Sequence, residues 1–475
     1  MTKAELVFIP TPVIGHIVST VELAKLIINR NNRLSITVLV MKLPHDSSIT
    51  NYTKSIGGVS SRMRFVHLSS EDSDSLEQHH HLPPAIFLTL FIENKKSHVK
   101  KAVNDITRFP DSPRLAGFVV DMFATSMIDV ANEFGVPTYV YLTSGAACLS
   151  TLFHLQSIKD DGHNIIASDF KDDKVIVVPG FVNPVPANVL PSVMVDEDLG
   201  SKALLTHAKR FRESKGILIN TVLELEPHTF RTLQTLSSIP KVYPVGPILD
   251  LNGGGGSEQK QADILAWLDG QPPASVVFLC FGSLGSFRVD QLKQIANGLE
   301  RSGHRFLWSL RGPSAGKFSF PTDYTNLEQV LPEGFLERTS NKGKVIGWAP
   351  QVAILSHRAT GGFVSHCGWN SILESLWFGV PIAALPMYAE QQLNAYEMVN
   401  ELRLAVEIKL DYKIETGVVG AGELETGIRY LMEQDGEVRN NAKEMKEISK
   451  KAVIDGGSSY ICLGQWISDV IQNMP

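Results

Sequence analysis

The residues best equipped for chemistry lie between Trp348 and Gln391, in the stretch WAPQVAILSHRATGGFVSHCGWNSILESLWFGVPIAALPMYAEQ. Phe363, Val364 and Ser365 read as a short buried strand that runs into the polar loop His366-Cys367-Gly368-Trp369. Asn370 is a good helix N-cap, and Ile372, Leu373, Leu376 and Trp377 recur at helical spacing. Gly379 and Pro381 stop that helix, and Val380 to Leu385 reads as the next strand. Free backbone N–H groups and the positive dipole end of a helix favour a phosphate, and His366, Asn370 and Ser371 add donors there. Glu374 lies on the same face as Asn370, about 6 Å farther along the axis. A carboxylate at that distance can accept hydrogen bonds from a ribose diol. Trp348 offers a flat stacking surface and Gln351 an amide for a base, so the stretch reads as a nucleotide-diphosphate site.

Other polar residues sit at strand ends, the side on which open α/β sheets bind ligands. His16 stands where the loop Pro10 to Gly15 meets the first helix. Alone, it is either a solvated loop histidine or a catalytic base. Asp121 ends the strand Leu115 to Val120 and either caps the next helix or points into the crevice. Thr143-Ser144-Gly145 closes the strand Val136 to Leu142. Ser283, in the loop Gly282 to Ser286, is a phosphate contact or part of a plain turn. The triplet His79-His80-His81 reads as a surface loop rather than a metal site.

These positions need a scaffold, and the chain supplies the same opening twice. Leu6 to Ile9 is a buried strand; a helix follows with Ile17, Val21, Ala24 and Ile28 on one face, and Ser35 to Val40 is a second strand. That is a βαβ start to a doubly wound sheet, without the GxGxxG of a dinucleotide site. Lys215 to Asn220 and Tyr243 to Pro247 read as the last strands of this half. Asn252-Gly-Gly-Gly-Gly-Ser257 is a linker. Beyond it, the strand Val276 to Phe281, a glycine loop and the helix Gln291 to Leu299 repeat the pattern. Phe306 to Leu310 is the next strand, and Lys344 to Gly347 leads into the Trp348 stretch. Ile461 to Ile471 is an amphipathic helix placed to pack back on the first half. The expected fold class is α/β, with domains at 1–250 and 258–457, a linker at 251–257, and the tail 458–475 returning to the first domain.

Composition limits the function. A chain of 475 residues exceeds one core, which fits two domains, and 43% hydrophobic with 20% charged residues describes a globular protein. A net charge of −6 gives no electrostatic reason to expect nucleic acid. Four cysteines at scattered positions fit no zinc spacing and suit a reducing compartment. No apolar run is long enough to span a membrane, and the short run Leu6 to Ile9 ends at Pro10, unlike a secretory signal. A soluble cytoplasmic protein is the expectation.

The Trp348–Gln391 stretch resembles the signature box of the plant secondary-product glycosyltransferases, the UDP-sugar-dependent family 1 enzymes. The likeness covers the opening WAPQ, the central HCGWNS, Glu374 and the closing Glu390-Gln391; Leu385 stands where the family usually has Trp. The resemblance implies a GT-B fold, two facing Rossmann-like domains with an acceptor-binding first half and a UDP-sugar-binding second. It implies that Trp348 stacks on uracil with the Ala349 backbone and Gln351 beside it, and that Glu374 holds the ribose. Ser283, His366, Asn370 and Ser371 would bind the diphosphate, and Trp369, Glu390, Gln391 and Thr143 the sugar. His16 would be the general base, oriented by Asp121. Attack opposite the leaving group would convert an α-linked donor into a β-glycoside, without metal or other cofactor. The expected partners are UDP-glucose and a hydrophobic hydroxylated acceptor, of phenolic, flavonoid or triterpenoid type, on a monomeric enzyme. Two rival readings are a non-catalytic sugar-nucleotide-binding protein of the same fold and a nicotinamide-dependent oxidoreductase; the missing GxGxxG disfavours the latter.

Overall fold

The computed structural model describes residues 4–43, 48–56, 60–69, 82–108, 112–160, 174–195, 199–236, 238–252, 258–314, 321–412 and 417–475. The His79–His81 triplet and residues 253–257 of the glycine linker lie outside these. Two parallel sheets organise the chain. The first contains β1 (Ala4–Ile9), β2 (Leu34–Val40), β3 (Met63–His67), β4 (Arg114–Asp121), β5 (Thr138–Leu142), β6 (Gly216–Ile219) and β7 (Val242–Pro244). Their order across the sheet is β3-β2-β1-β4-β5-β6-β7, every pair parallel. The second contains β8 (Val276–Cys280), β9 (Arg305–Ser309), β10 (Gly343–Ile346), β11 (Thr360–Ser365), β12 (Ile382–Ala384) and β13 (Ala405–Glu407). It is also all parallel, in the order β10-β9-β8-β11-β12-β13. Central strands such as β1 and β8 are buried at every residue, as expected where helices cover both faces.

Each sheet reverses its strand order beside its first strand, and the crevice at such a point is where α/β sheets bind ligands. In the first sheet the reversal lies between β1 and β4; β1 leads into α1 (Ile14–Arg30), which carries His16, and β4 ends at Asp121. In the second it lies between β8 and β11, followed respectively by the Ser283 loop and by His366. The other helices that matter are α2 (Ala146–Asp160), α3 (Val289–Ser302), α4 (Gln351–Leu355), α5 (Trp369–Phe378), α6 (Gln391–Tyr396) and α7 (Ser458–Gln472). As the sequence predicts, Gly379 ends α5 in the left-handed conformation, at φ 72°.

Two local expectations are corrected. Helix α5 begins at Trp369, so its N-cap is Gly368 in extended conformation and Asn370 is its second residue. The Ser-rich segment from Asp46 to Pro84, polar in sequence and without a strand or helix pattern assigned to it, also contains a helix, Ser48–Ser55, and the edge strand β3. At the tail, α7 packs on the first sheet's core through fully buried Trp466, whose ring meets Tyr139 edge-on at 5.4 Å. Arg30 of α1 lies over the Tyr460 ring at 3.4 Å, and Asp469 pairs with Lys241 at 3.0 Å. Losing the Trp466 side chain would cost about 3–5 kcal/mol. Among the described residues no helix is long and apolar enough to cross a membrane.

Candidate active site

His16 lies in the first turn of α1, a quarter-exposed imidazole against a fully buried carboxylate: Nδ1 is 2.8 Å from Asp121 Oδ2. Asp121 is fixed in turn, because its Oδ1 accepts from the Thr11 hydroxyl at 2.5 Å and the Phe123 N–H at 3.1 Å. The carboxylate therefore requires the proton on Nδ1, which leaves Nε2 unprotonated and available as a base. Thr143 Oγ1 also stands 3.1 Å from Nδ1. Burial alone would lower the His16 pKa, but the Asp121 charge and hydrogen bond, with a contribution from Glu390, carry it above the ordinary histidine value. Asp121 thus points into the crevice, and its Phe123 N–H contact shows that it also steadies the turn after β4. Phe123 lies 6.0 Å from the His16 ring and meets His207 edge-on at 5.9 Å, forming an apolar wall beside the base.

The second half presents the nucleotide-type groove. His366 is buried between two glycines: a Cβ at Gly282 or at Gly368 would stand 2.6 Å from its Nε2. No larger residue fits either place without displacing the imidazole. Burial pushes the His366 pKa down to about 4, so the ring is neutral. A hydrogen bond with the Cys280 backbone partly opposes the shift. Cys367, between His366 and the cap, holds φ at 61°, a left-handed conformation rare for a residue with a side chain and typical of binding turns. Farther along α5, Gln351 Nε2 donates to Ser371 Oγ at 2.9 Å and to Glu374 Oε2 at 2.8 Å. Burial pushes the Glu374 carboxyl up to about 7, with the Gln351 bond working against the shift.

Trp348 opens the groove, 37% exposed and with its backbone N–H held by Asp323 Oδ1 at 3.0 Å, while Ala349 beside it is buried. Ser283 is exposed in the loop after β8, where Gly282 takes φ 75°. Gln391 turns its amide oxygen onto the N–H groups of Met387 and Tyr388, at 2.9 and 3.1 Å. Burial raises the Glu390 carboxyl, and the nearby His16 charge partly offsets the shift. The base and the acid that ends the box are therefore electrostatic neighbours, though 374 residues apart in sequence. Asn370 spans the halves, donating to the Gly15 carbonyl at 3.3 Å. Trp369 is different: its indole is buried with Nε1–H on the Asn220 carbonyl at 2.7 Å, so its backbone N–H is what it can offer a ligand. Leu385, at the position where Trp was expected, is fully buried in the second core. Residues unrecognised in the sequence are Thr11, which braces Asp121, and Asn220. For both the available signal was position at the end of a strand.

The family described as UDP-glucoronosyl and UDP-glucosyl transferase matches residues 238–449. UDP-glycosyltransferase 71A15 of Malus domestica is 54% identical over 476 residues, covering 98% of this chain and 99% of its own length. UDP-glucose flavonoid 3-O-glucosyltransferase 6 of Fragaria ananassa is 53% identical, covering 99% of both. Among solved structures, Medicago truncatula UGT71G1 complexed with UDP-glucose superposes with a TM-score of 0.88 at 42% identity, over 98% of each chain. A transferase from Siraitia grosvenorii in complex with UDP gives 0.87 at 48% identity, over 99% of this chain and all of the other. The two facing sheets are thus the GT-B fold, and the oxidoreductase and non-catalytic readings fall away. Similarity of this depth over nearly the whole length shows that the chain belongs to the plant UDP-glycosyltransferase family and is a UDP-dependent glycosyltransferase.

Proposed function

We propose that the protein transfers glucose from UDP-glucose to a hydroxyl of a hydrophobic small molecule, of phenolic, flavonoid or triterpenoid type, with inversion to a β-glycoside. The observation that carries this is the His16–Asp121 pair: an imidazole held by Nδ1 beside the apolar Phe123 wall, across the cleft from α5. In the proposed step the acceptor oxygen attacks the anomeric carbon while its proton passes to His16 Nε2. The bond from that carbon to the phosphate oxygen breaks with its electron pair, and UDP departs. Asp121 stabilises the imidazolium that forms. The new phosphate charge falls at the N-terminus of α5, beside Asn370, Ser371, His366 and Ser283.

In this reading residues 1–250 bind the acceptor, 258–457 bind the donor, and 251–257 join them. Trp348, Ala349 and Gln351 take uracil, Glu374 the ribose, and Trp369, Glu390, Gln391 and Thr143 the sugar. A final Gln in the box and Trp369, rather than a cation, fit glucose better than a uronic acid. The strawberry relative's description as a flavonoid 3-O-glucosyltransferase supports both donor and acceptor class. Three buried and one half-buried free cysteine suit a reducing compartment and so support an enzyme acting in the cytoplasm, which this reading takes as a monomer. The test supplies UDP-glucose, UDP-galactose and UDP-glucuronate at equal concentration with a panel of flavonols and triterpenoid alcohols, and reads the anomeric configuration of the product. Preference for another donor, an α-linked product, or turnover confined to free sugars or peptides would overturn the proposal.

A further inference from the structure

The two halves meet at a contact that the roles above leave unused. The Trp369 indole leaves its own half and enters the other, where it is 2% exposed. Its ring lies over Gly145, where a Cβ would stand 2.7 Å from the indole edge. Gly145 has no left-handed φ, so glycine is needed there for space and not for conformation. The Asn220 carbonyl accepts the indole N–H, and the fully buried Asn220 side chain branches outward. Its Oδ1 accepts the Ile248 N–H at 2.7 Å, while Nδ2 reaches the Ile248 carbonyl at 3.2 Å, Ser19 Oγ at 3.3 Å and Asn370 Oδ1 at 3.5 Å. Asn370 then donates to the carbonyl of Gly15, the neighbour of His16, and Ser19 lies one turn beyond His16 in α1. One residue thus ties together the helix of the base, the chain leaving for the linker and the first turn of the donor helix.

We infer that Asn220 and Gly145 form a socket for Trp369 that sets α5 against α1, making Asn220 a positioning residue for transfer. This rests on the reading of His16 as base and of α5 as the diphosphate site. The acceptor and its base belong to one half and the donor to the other, so their approach is set by how the halves index. Misplacement by about 1 Å can cost on the order of 10²-fold in rate. A methyl at Gly145 would lift the indole, and Asn220→Ala would remove the side-chain bonds to Ser19, Ile248 and Asn370.

The experiment compares wild type, Gly145→Ala, Asn220→Ala and His16→Ala. Calorimetric titration with UDP counts folded donor sites, and turnover with UDP-glucose and a flavonol is expressed per site. Both socket variants are expected to lose roughly 10-fold or more in kcat per site. Their UDP affinity and the pH profile of kcat should stay close to wild type, which a merely structural loss of folded protein would not produce. Should Asn220→Ala fail to fold, Gly145→Ala decides. Unchanged kcat per site in Gly145→Ala, or UDP affinity falling in parallel with kcat, overturns the inference. If His16→Ala loses turnover and Gly145→Ala does not, only the socket fails. If His16→Ala retains turnover while the socket variants lose it, the base assignment fails and the socket stands.

Discussion

Replacing Asp121 by Asn should invert the proton arrangement of His16, and a mutant cycle can read that inversion. An asparagine keeps Oδ1, so it can still accept from Thr11 and the Phe123 N–H. What changes is the atom 2.8 Å from His16 Nδ1, where an amide NH₂ replaces a carboxylate oxygen. The amide donates, Nδ1 accepts, and the imidazole proton moves to Nε2, the nitrogen that must be free to act as base. General-base catalysis contributes roughly 10²–10⁴-fold, or about 3–5 kcal/mol at 1.36 kcal/mol per tenfold. His16→Ala should lose that amount, Asp121→Asn a comparable one, and the double mutant little more than His16→Ala alone, since Asp121 acts through His16. The pH profile adds a second reading. His16 must be neutral to work and its pKa lies above the ordinary value, so wild-type turnover should rise with pH through that raised pKa and then level off. In Asp121→Asn the lowering effect of burial loses its main opponent, so the acid limb should move to lower pH. Initial rates of UDP release across pH, with UDP affinity by calorimetry as a control, provide the assay. Additive losses in the double mutant, or an acid limb that moves upward, would refute the reasoning.

Three further outcomes follow from the same geometry. Trp348→Ala should weaken UDP binding by ~1–3 kcal/mol if the exposed indole stacks on the base; an unchanged calorimetric Kd would make Trp348 a packing residue. Glu374, held near a pKa of about 7, binds a diol best when ionised, so affinity for UDP-glucose should rise with pH through that region with release of a proton. Glu374→Gln should bind more weakly and show no such dependence when titrated in buffers of different ionisation enthalpy. Burial and the neighbouring Glu226 push the Glu397 carboxyl well above the usual range, so the fold holds a proton that the unfolded chain releases. Stability should therefore fall as pH rises from about 4.5 towards that raised pKa, and thermal melts of Glu397→Gln should show a flatter pH dependence.

The parts of the site legible in the sequence are those built within one strand–loop–helix unit. His366, Gly368, Ser371 and Glu374 fall within nine residues, and strand and helix periodicity orient them directly. The groove along α5 could therefore be outlined from the box alone, although Trp369 and Asn370 face the other half. His16 and Asp121 were visible only as polar residues at the ends of two apolar strands. Their pairing depends on β1 and β4 lying side by side, with Ile9 in register with Val120, and no local pattern states which strands are neighbours. The resemblance to a family supplied that step. Strand β3 and the helix Ser48–Ser55 were missed because an edge strand with exposed residues carries little apolar signal.

Asn370 shows why local rules fail at the meeting of two halves. As an isolated helix start, Asn-Ser-Ile-Leu-Glu after Gly368-Trp369 favours Asn as the cap, because its side chain would satisfy an orphan N–H. Here Gly368 leaves the first turn without a side-chain cap, at a local cost, and frees those N–H groups for a ligand. The Asn370 amide instead faces Gly15 and Asn220, residues of the other half. Capping preference is a property of one segment, whereas this side chain answers to a surface brought to it by the fold. The same holds for Trp369, a plausible sugar contact by sequence whose partner, Asn220, lies 149 residues away. Departures from local preference therefore concentrate where the two halves are indexed to each other, and there the reacting groups must meet.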